Sequence, residues 1–322
     1  MDVYTGFDDI TLEILAKGSQ PAGVAPTFSS WSAEANGLGE AFRYVTKLPV
    51  TFPLAFFSDH GVGSHCILGE YEKDNVFRSF VTWNPAKCFF NKKNGKRFAK
   101  IIHMPHPFPL FWRMANVVRR KNATGTIVFL NHSTPELEYG EFVADSYVEE
   151  LRALPQEYHP IVLCLHRNDI LNGEHRKLRT MCDFPIITMG HAGYDGFCKR
   201  FYDTLAQFKF ASSTIEMSTL FYCVDFGMPY FIYGTFERHE SHHQIDQVAA
   251  SFVRQLFAGP TNVLTDCQRD YVDMMLGKRN SFDRLRLSVF VWSRFISFSF
   301  CRLIIRQLWL FVTRLLSSRK VL

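Results

Sequence analysis

The chain has 322 residues, of which 47% are hydrophobic, and it carries a formal net charge of +5 at pH 7. At about 100–200 residues per domain, this length predicts two domains. Eight basic residues and one acidic residue follow residue 280, whereas the first 280 residues contain 28 basic and 30 acidic groups. The positive charge is therefore concentrated in the C-terminal tail, which excludes the basic folded face typical of a nucleic-acid-binding protein.

The cysteines are scattered, and no pair of them shows C-x-x-C spacing, so the sequence contains no zinc or thiol-redox motif of that kind. Free thiols in this arrangement are typical of the reducing cytosol. The first ten residues, MDVYTGFDDI, lack the basic and then apolar pattern of a signal peptide. We therefore expect a cytoplasmic protein.

In the N-terminal half, apolar runs bounded by turn residues predict four strands. The first 45 residues are weakly patterned, and we expect loops and short helices there. The predicted strands cover residues 53–57, 77–83, 100–104 and 126–130. Helical spacing of apolar residues predicts helices over residues 109–119 and 143–151.

The second half alternates strands and helices more regularly. The predicted strands cover residues 161–165, 185–189, 208–211 and 229–233, and the predicted helices cover 174–181, 194–207, 218–226 and 244–257. Such alternation is typical of βαβ units and of a parallel sheet. The predicted fold class is α/β with two Rossmann-like lobes, an N-terminal lobe over residues 1–152 and a C-terminal lobe over residues 153–280.

The last segment, residues 281–322, is predicted to form a basic amphipathic helical tail. Arginines interrupt its apolar runs, so it lacks the about 20 mostly apolar residues that a membrane-spanning helix needs. Four of them fall within about 200° of arc around the helix: Arg294, Arg302, Arg306 and Arg314. We expect residues 284–320 to lie on an anionic membrane surface, and the alternative is a terminal helix docked on the protein's own core.

Polar residues follow two predicted strands of the N-terminal lobe, at the end of a parallel sheet where ligands bind. Asp59 and His60 follow the first strand, and a carboxylate beside an imidazole is suited to deprotonating a hydroxyl. His132 follows the fourth strand together with Ser133 and Thr134, and it is a further candidate base or ligand of phosphate or acceptor. The alternatives are a plain turn after the first strand and an ordinary loop histidine at position 132.

Strand ends of the C-terminal lobe supply candidates for nucleotide binding. Arg167 follows strand 161–165, and its guanidinium is suited to neutralising a phosphate. Gly190 and His191 follow strand 185–189, where glycine permits close approach of a nucleobase or ribose. A polar loop at residue 167 and a glycine-bearing turn at residue 190 are the corresponding alternatives.

The loop after strand 208–211 begins with Ser212, Ser213 and Thr214. Hydroxyls and backbone N–H groups at the start of a helix form an anion site, which suits a nucleotide phosphate. Ordinary helix capping by the same residues is the alternative. Glu216 is a candidate ligand of the ribose hydroxyls, or a first-turn acid that interacts favourably with the helix dipole.

Several familiar motifs are absent. The histidines of GTFERHESHHQ, at positions 239, 242 and 243, lack HExxH spacing and are interpreted as a polar loop. There is no D-x-D motif, no G-x-x-x-x-G-K-S/T loop and no G-x-S-x-G motif. We therefore expect no metal and no cofactor, so the charge of a leaving group must be neutralised by hydroxyls, helix dipoles and Arg or His.

Two segments, GTIVFLNHSTPELE and FKFASSTIEMSTLFYCVDFGMPYFIYG, resemble bacterial glycosyltransferases of the GT-B fold that build surface polysaccharide and lipopolysaccharide. The resemblance covers about residues 50–260 and lies in strand-loop-helix patterns. Bacterial sialyltransferases of this fold similarly use an acidic-Gly motif, a His-Pro motif and a Ser-Ser motif. Here Asp59-His60-Gly61 departs from the first, both His106-Pro107 and His159-Pro160 match the second, and Ser212-Ser213 fits the third.

The resemblance implies a metal-independent, inverting glycosyltransferase that moves a sugar from a nucleotide sugar to a surface-polysaccharide or lipid-linked acceptor. The C-terminal lobe would hold the nucleotide sugar, and the N-terminal lobe would hold the acceptor and supply the base. The tail would keep the enzyme on the inner face of the cell membrane. The alternatives are a polyol-phosphate transferase or a sugar epimerase of the same fold, and a non-catalytic scaffold at the membrane.

Overall fold

The computed structural model describes residues 2–18, 29–59, 61–66, 79–91, 100–131, 145–193, 196–234 and 244–318. Several predicted site residues lie outside these ranges, namely His60, His132, Ser133 and Thr134. The histidine-rich segment over residues 235–243 also lies outside them.

The first sheet is parallel and has three strands in the order β1-β2-β3, namely β1 (Phe57–Ser58), β2 (Ser79–Thr82) and β3 (Lys100–His103). Phe80 is paired with Phe57 on one side and with Ile101 on the other, so apolar side chains meet across all three strands. The helices of this part of the chain are α2 (Trp31–Glu34), α3 (Leu38–Thr46), α4 (Pro85–Asn91) and α5 (Pro107–Met114). We call this part the first unit.

The second sheet is also parallel and has the strand order β6-β5-β4-β7-β8. Its strands are β4 (Thr124–Phe129), β5 (Ile161–Leu165), β6 (Ile186–Thr188), β7 (Phe208–Ser213) and β8 (Tyr230–Ile232). The helices between them are α6 (Asp145–Arg152), α7 (Arg167–Leu171), α8 (Glu174–Met181), α9 (Phe197–Leu205) and α10 (Ser218–Asp225). These elements form the second unit, and the predicted parallel α/β architecture is confirmed for both sheets.

Strand β4 pairs with β5 on one side and with β7 on the other, so the strand order reverses at β4. Such a reversal leaves a crevice beyond the carboxyl ends of the two neighbouring strands. The prediction assigned this strand to an N-terminal lobe ending at residue 152, whereas it lies in the middle of the second sheet. The chain passes from one sheet to the other between His103 and Thr124, because β4 finds its partners among strands that follow it in the sequence.

The N-terminal helix α1 (Asp9–Lys17) packs on the second unit. Leu12 and Ala16 are fully buried in the same apolar cluster as Leu163 of β5. The Phe7 N–H donates to the carbonyl of Ile186 in β6 over 2.8 Å. The start of the chain therefore forms part of the wall of the second sheet.

Three helices complete the described chain, namely α11 (Gln244–Leu256), α12 (Asp266–Met275) and α13 (Asp283–Ser318). The first turns of α13 return to the first unit, where Leu287, Phe290 and Val291 are buried. The Trp292 Nε1–H donates to the carbonyl of Thr46 over 2.9 Å. Docking on the core, one of the two alternatives for the tail, is thus observed for this part of the helix. Among the described residues, no helix has the length and apolar character needed to cross a membrane.

The two units share one apolar core, which contains Phe42 and Trp83 from the first and Tyr202 and Phe221 from the second. Helix α5 lies at this junction, because its residue Phe108 stacks near the rings of Tyr202 and Tyr222, at centroid distances of 6.3 and 4.6 Å. The units are therefore joined by packed side chains directly beneath the cleft that separates their sheets.

Candidate functional site

A cavity of about 480 Å³ lies between the two units at the carboxyl ends of the strands. Residues that follow β4, β5, β6 and β7 line it, and so does the segment after β1. The strand-end contributions are Asn131, Arg167, Gly190 and Glu216. This is the position that the reversal of strand order predicts for a ligand of a parallel sheet.

Arg167 and Gly190 line the cavity and are both packed against α1. Arg167 Nε donates to the carbonyl of Ala16 over 3.3 Å. Gly190 has φ +78°, and a Cβ there would lie 2.9 Å from the carbonyl oxygen of Leu15. The glycine is therefore required by its backbone conformation and by the close approach of α1.

His191 lies beside the cavity, whose lining includes its neighbours Gly190 and Ala192. Its Nδ1 accepts a hydrogen bond from the Gly193 N–H over 2.9 Å. Burial lowers the pKa of the His191 imidazole, and the charge of Arg167 lowers it further. The imidazole is therefore biased towards its neutral form next to a cationic side chain.

Ser212 and Ser213 are the last two residues of β7, where the prediction had placed a loop. The strand is longer because Ser212 pairs with Val128 and Phe231, and Ser213 pairs with Phe129 and Ile232. Ser212 Oγ donates to the carbonyl of Phe231 over 2.9 Å, and Ser213 Oγ donates to the carbonyl of Ile215. The described lining of the cavity includes neither serine nor Thr214, and this strand end contributes residues 215–219 instead.

A segment of the first unit, Gly61–Cys66, forms one wall of the cavity, and we call it the strap. Glu216 accepts hydrogen bonds from the backbone N–H of Ser64 over 2.6 Å and from its hydroxyl. Asp246 of α11 accepts from the Cys66 N–H over 2.6 Å. The carboxylate that was predicted to bind ribose therefore holds the strap in this structure.

Asp59 forms an ion pair with Lys87 of α4, with 2.6 Å between Oδ1 and Nζ. Their side chains are 7% and 8% exposed, so both charges are buried and each compensates the other. Asp59 is not part of the described cavity lining. Its predicted role as a base stays a prediction, and its observed role is to fix α4 against the end of β1.

Among the cavity residues that the sequence does not single out are Asn131, His65 and Asp246. Asn131 directly follows β4, so the strand-end argument that selected His132 applied equally to it. Its Nδ2 is buried and makes no hydrogen bond within the described part of the chain. Asp246 lies on an amphipathic helix far along the chain, and no local pattern marks it as a cleft residue.

Part of the cavity lining is apolar and aromatic, and it includes Phe108, Phe129, Phe197 and Phe201. Tyr222 also lines it, and its hydroxyl lies 3.2 Å from Nε2 of the fully buried His106. Burial holds the pKa of the His106 imidazole well below its usual value. Its Nδ1 accepts from the Phe108 N–H, so Nε2 carries the proton and donates to Tyr222.

The two His-Pro dipeptides have different positions. His106-Pro107 begins α5 directly beneath the cavity, whereas His159-Pro160 precedes β5 and therefore lies at the opposite end of the second sheet. His159 Nε2 lies 2.9 Å from the carbonyl of Leu154, which follows α6. Only the first dipeptide is thus near the candidate site.

No protein-family model and no curated protein matches the sequence. Among solved structures, the pneumococcal O-GlcNAc transferase GtfA in complex with UDP and GlcNAc is similar with a TM-score of 0.38 and 14% identity, over 70% of this chain and 47% of that one. HepE of Anabaena, in complex with UDP and glucose, is similar with a TM-score of 0.28 and 10% identity, over 74% of this chain and 65% of that one. The chain thus spans about half the length of the first and less than two thirds of the second.

Proposed function

We propose that this protein is a metal-independent, inverting glycosyltransferase that moves a sugar from a nucleotide sugar to a surface-polysaccharide or lipid-linked acceptor. The observation that carries the proposal is the cavity between the two sheets, at the point where the strand order of the second sheet reverses. Its volume of about 480 Å³ is within the range of ligand sites. A transferase needs two substrates to meet, and a cleft between two units gives each substrate its own wall.

The polar groups of the cavity match the parts of a nucleotide sugar. Arg167 brings a permanent positive charge, and Asn131 brings an amide donor without a partner among the described residues, so both suit a diphosphate. The start of α10 adds Ser218 and Thr219. Together these groups would stabilise the negative charge of a leaving nucleotide without a metal ion.

The aromatic part of the lining suits a flat nucleobase, because side chains such as Phe197 and Phe201 offer ring faces and edges to it. Two carboxylates of the lining, Glu216 and Asp246, accept hydrogen bonds and suit the hydroxyl groups of a sugar. The candidate bases from the sequence are Asp59, His60 and His132, and Asp59 is the one among the described residues.

We further propose that α13 binds the anionic inner face of the cell membrane. Leu285, Val289 and Ile296 are 59–61% exposed and fall on one side of the helix, away from the docked Leu287 and Phe290. After Asp283 the chain contains eight basic residues and no acidic one. An exposed apolar stripe flanked by arginines suits the boundary between lipid headgroups and acyl chains, where a lipid-linked acceptor would be found.

The test is binding of nucleotides to the full chain, measured by calorimetry and thermal shift with EDTA present. UDP is the first nucleotide to try, since both neighbouring structures contain it, followed by CMP and GDP and their sugars. Asn131→Ala and Arg167→Ala should each weaken binding about tenfold, the loss of about 1.4 kcal/mol expected for a hydrogen bond to a charged group. The exposed Asn172, outside the described cavity lining, provides the control Asn172→Ala.

If no nucleotide or nucleotide sugar stabilises the protein, the transferase proposal fails and the scaffold alternative replaces it. If a nucleotide sugar binds, analysis of its products separates transfer from epimerisation and from transfer of a polyol phosphate. Loss of binding on addition of EDTA would contradict metal independence.

A further inference from the structure

The strap Gly61–Cys66 is fastened to both units by its backbone. The Val62 N–H donates to Ser218 Oγ, and the Ser64 N–H donates to the Glu216 carboxylate. The Cys66 N–H donates to Asp246, and all three acceptors lie on the opposite wall of the cavity. The carbonyls of Gly61 and His65 accept from the side chains of Trp83 and Asn84 of the first unit. A segment held in this alternating way fixes the backbone of His65, whose side chain lines the cavity.

His65 and Asp246 form a pair across the cleft. The Asp246 side chain is 4% exposed, and its Oδ1 accepts the Cys66 N–H while its Oδ2 lies 3.9 Å from His65 Nδ1. The His65 side chain is 67% exposed and lines the cavity. A carboxylate facing Nδ1 favours the tautomer with the proton on that nitrogen, so that the lone pair is on Nε2.

The distance of 3.9 Å between His65 Nδ1 and Asp246 Oδ2 is longer than a hydrogen bond. Catalytic hydrogen bonds in ligand-free structures are commonly long and shorten when substrate binds. The Cys66 N–H already holds the Asp246 carboxylate over 2.6 Å, and the His65 side chain is largely exposed, so a small rotation of the imidazole is enough to bring Nδ1 and Oδ2 together.

We propose that His65, oriented by Asp246, is the general base that activates the acceptor in the proposed sugar transfer, on which this inference rests. The acceptor hydroxyl gives its proton to His65 Nε2 as its oxygen forms a bond to the anomeric carbon. The bond from that carbon to the phosphate oxygen breaks, and its electron pair leaves with the nucleotide. The proton then passes to solvent, which reaches His65 through its exposed side.

Four other basic groups near the cleft are engaged differently among the described residues. Asp59 is paired with the ammonium group of Lys87. His106 is fully buried and caps α5 through Nδ1, and His166 caps α7 through Nδ1. Glu216 accepts two hydrogen bonds from Ser64.

Among the described residues, Asp246 faces His65 Nδ1, and Glu216 lies on the same side of the strap. A Cβ on Gly63 would lie 3.7 Å from the His65 ring and 3.8 Å from Glu216 Oε1, so both side chains flank Gly63. The Asp246 carboxylate, 3.9 Å from Nδ1, favours the protonated form of the imidazole after it has taken the proton.

The test measures the release of UDP from UDP-GlcNAc and UDP-glucose by the full chain, with water as acceptor, between about pH 5 and pH 9. His65→Gln should lower the rate about 10²- to 10⁴-fold and remove the fall in rate on the acid side, while the affinity for UDP stays unchanged. Asp246→Asn should lower the rate less and move the acid side of the profile to lower pH, because a carboxylate favours protonated imidazole. Added imidazole should restore part of the rate of His65→Ala.

Matched controls are His159→Gln, at the opposite end of the sheet, and Asp266→Asn, whose side chain is 95% exposed. Neither should change the profile. A rate within about threefold of wild type for His65→Gln, with the acid side retained, overturns the inference while leaving the proposed function intact. UDP binding without any release by the wild-type protein overturns it as well. Absence of nucleotide binding is a different result, because it removes the proposed function itself.

Discussion

Ser218 and Val62 exchange two hydrogen bonds across the cleft. The Val62 N–H donates to Ser218 Oγ over 2.9 Å, and Ser218 Oγ donates to the Val62 carbonyl over 3.0 Å. The preceding residue, Gly61, passes so close that a Cβ there would lie 2.7 Å from the same oxygen. The join between the strap and the start of α10 therefore depends on a residue without a side chain.

Gly61→Ala should weaken this join. The added methyl group forces Ser218 Oγ to rotate away and to lose its hydrogen bonds to Val62, at a cost of about 1–2 kcal/mol in the free energy of unfolding. Gly63→Ala is the matched control, because the nearest atoms to its Cβ are 3.7 Å away, and it should change stability by less than about 0.5 kcal/mol. Urea unfolding measures both, and equal stability of the two variants would contradict the close contact.

The ion pair between Asp59 and Lys87 predicts an unusual stability pattern. Asp59→Asn removes the carboxylate charge that compensates the buried ammonium of Lys87 and should destabilise the protein by about 3–5 kcal/mol. Replacing both residues, with Asp59→Leu and Lys87→Met, removes both charges and should recover most of that loss. Urea unfolding of the single and double variants provides the comparison.

The same double variant separates two roles of Asp59. If the double variant is folded and still releases UDP from a UDP-sugar, Asp59 has a structural role and is not the base. If it is folded and inactive while still binding UDP, the sequence-based prediction of Asp59 as base gains support and the role proposed for His65 loses it.

The secondary structure of the second unit follows closely from the sequence. The predicted strand 161–165 and helix 174–181 have the bounds that the structure shows for β5 (Ile161–Leu165) and α8 (Glu174–Met181). Local patterns suffice there because buried parallel strands are short apolar runs and the helices have clear apolar faces. The sheet to which β4 belongs could not be predicted from local patterns, because the pairing of β4 with β5 and β7 depends on contacts between segments far apart in the chain.

The candidate site was predictable in part. The rule that ligands bind beyond strand ends led to Arg167, Gly190 and Glu216, which all line the cavity. The rule did not place Ser212 and Ser213 correctly, because it depends on knowing where a strand ends. Pairing with neighbouring strands extends β7 by two residues beyond the predicted end, so both serines belong to the strand. The partners of side chains, such as Lys87 for Asp59 or Asp246 for His65, come from distant segments and leave no local pattern.

His106 predicts a pH dependence of stability. Its folded-state pKa is held well below the usual value by burial, whereas in the unfolded chain it titrates near pH 6.5. The neutral His106 side chain therefore contributes fully to the free energy of unfolding above about pH 6.5. This contribution is lost as the pH falls, by up to about 1.4 kcal/mol per pH unit. His106→Asn keeps an acceptor for the Phe108 N–H, and it should flatten the dependence between pH 5 and about 6.5 in urea unfolding. An unchanged slope would mean that the folded protein takes up the proton.

The two tryptophans of α13 should contribute differently to membrane binding and to stability. Trp309 is 64% exposed, whereas Trp292 donates its Nε1–H to the carbonyl of Thr46 in the docked part of the helix. Trp309→Ser should lower binding to vesicles that contain phosphatidylglycerol about tenfold, since the ring no longer enters the lipid boundary, and should leave the unfolding free energy unchanged. Trp292→Phe should lower that free energy by about 1 kcal/mol and leave vesicle binding unchanged.

Co-sedimentation with vesicles measures the binding, and urea unfolding measures the stability. Binding of the wild-type protein should weaken with added salt and should be weak on vesicles of phosphatidylcholine alone, because the arginines act through charge. The full chain is needed in these experiments, since a cut at residue 280 would remove the buried Leu287, Phe290 and Val291 from the core of the first unit. If Trp309→Ser binds anionic vesicles as well as the wild type does, the exposed part of α13 is not the surface that meets lipid.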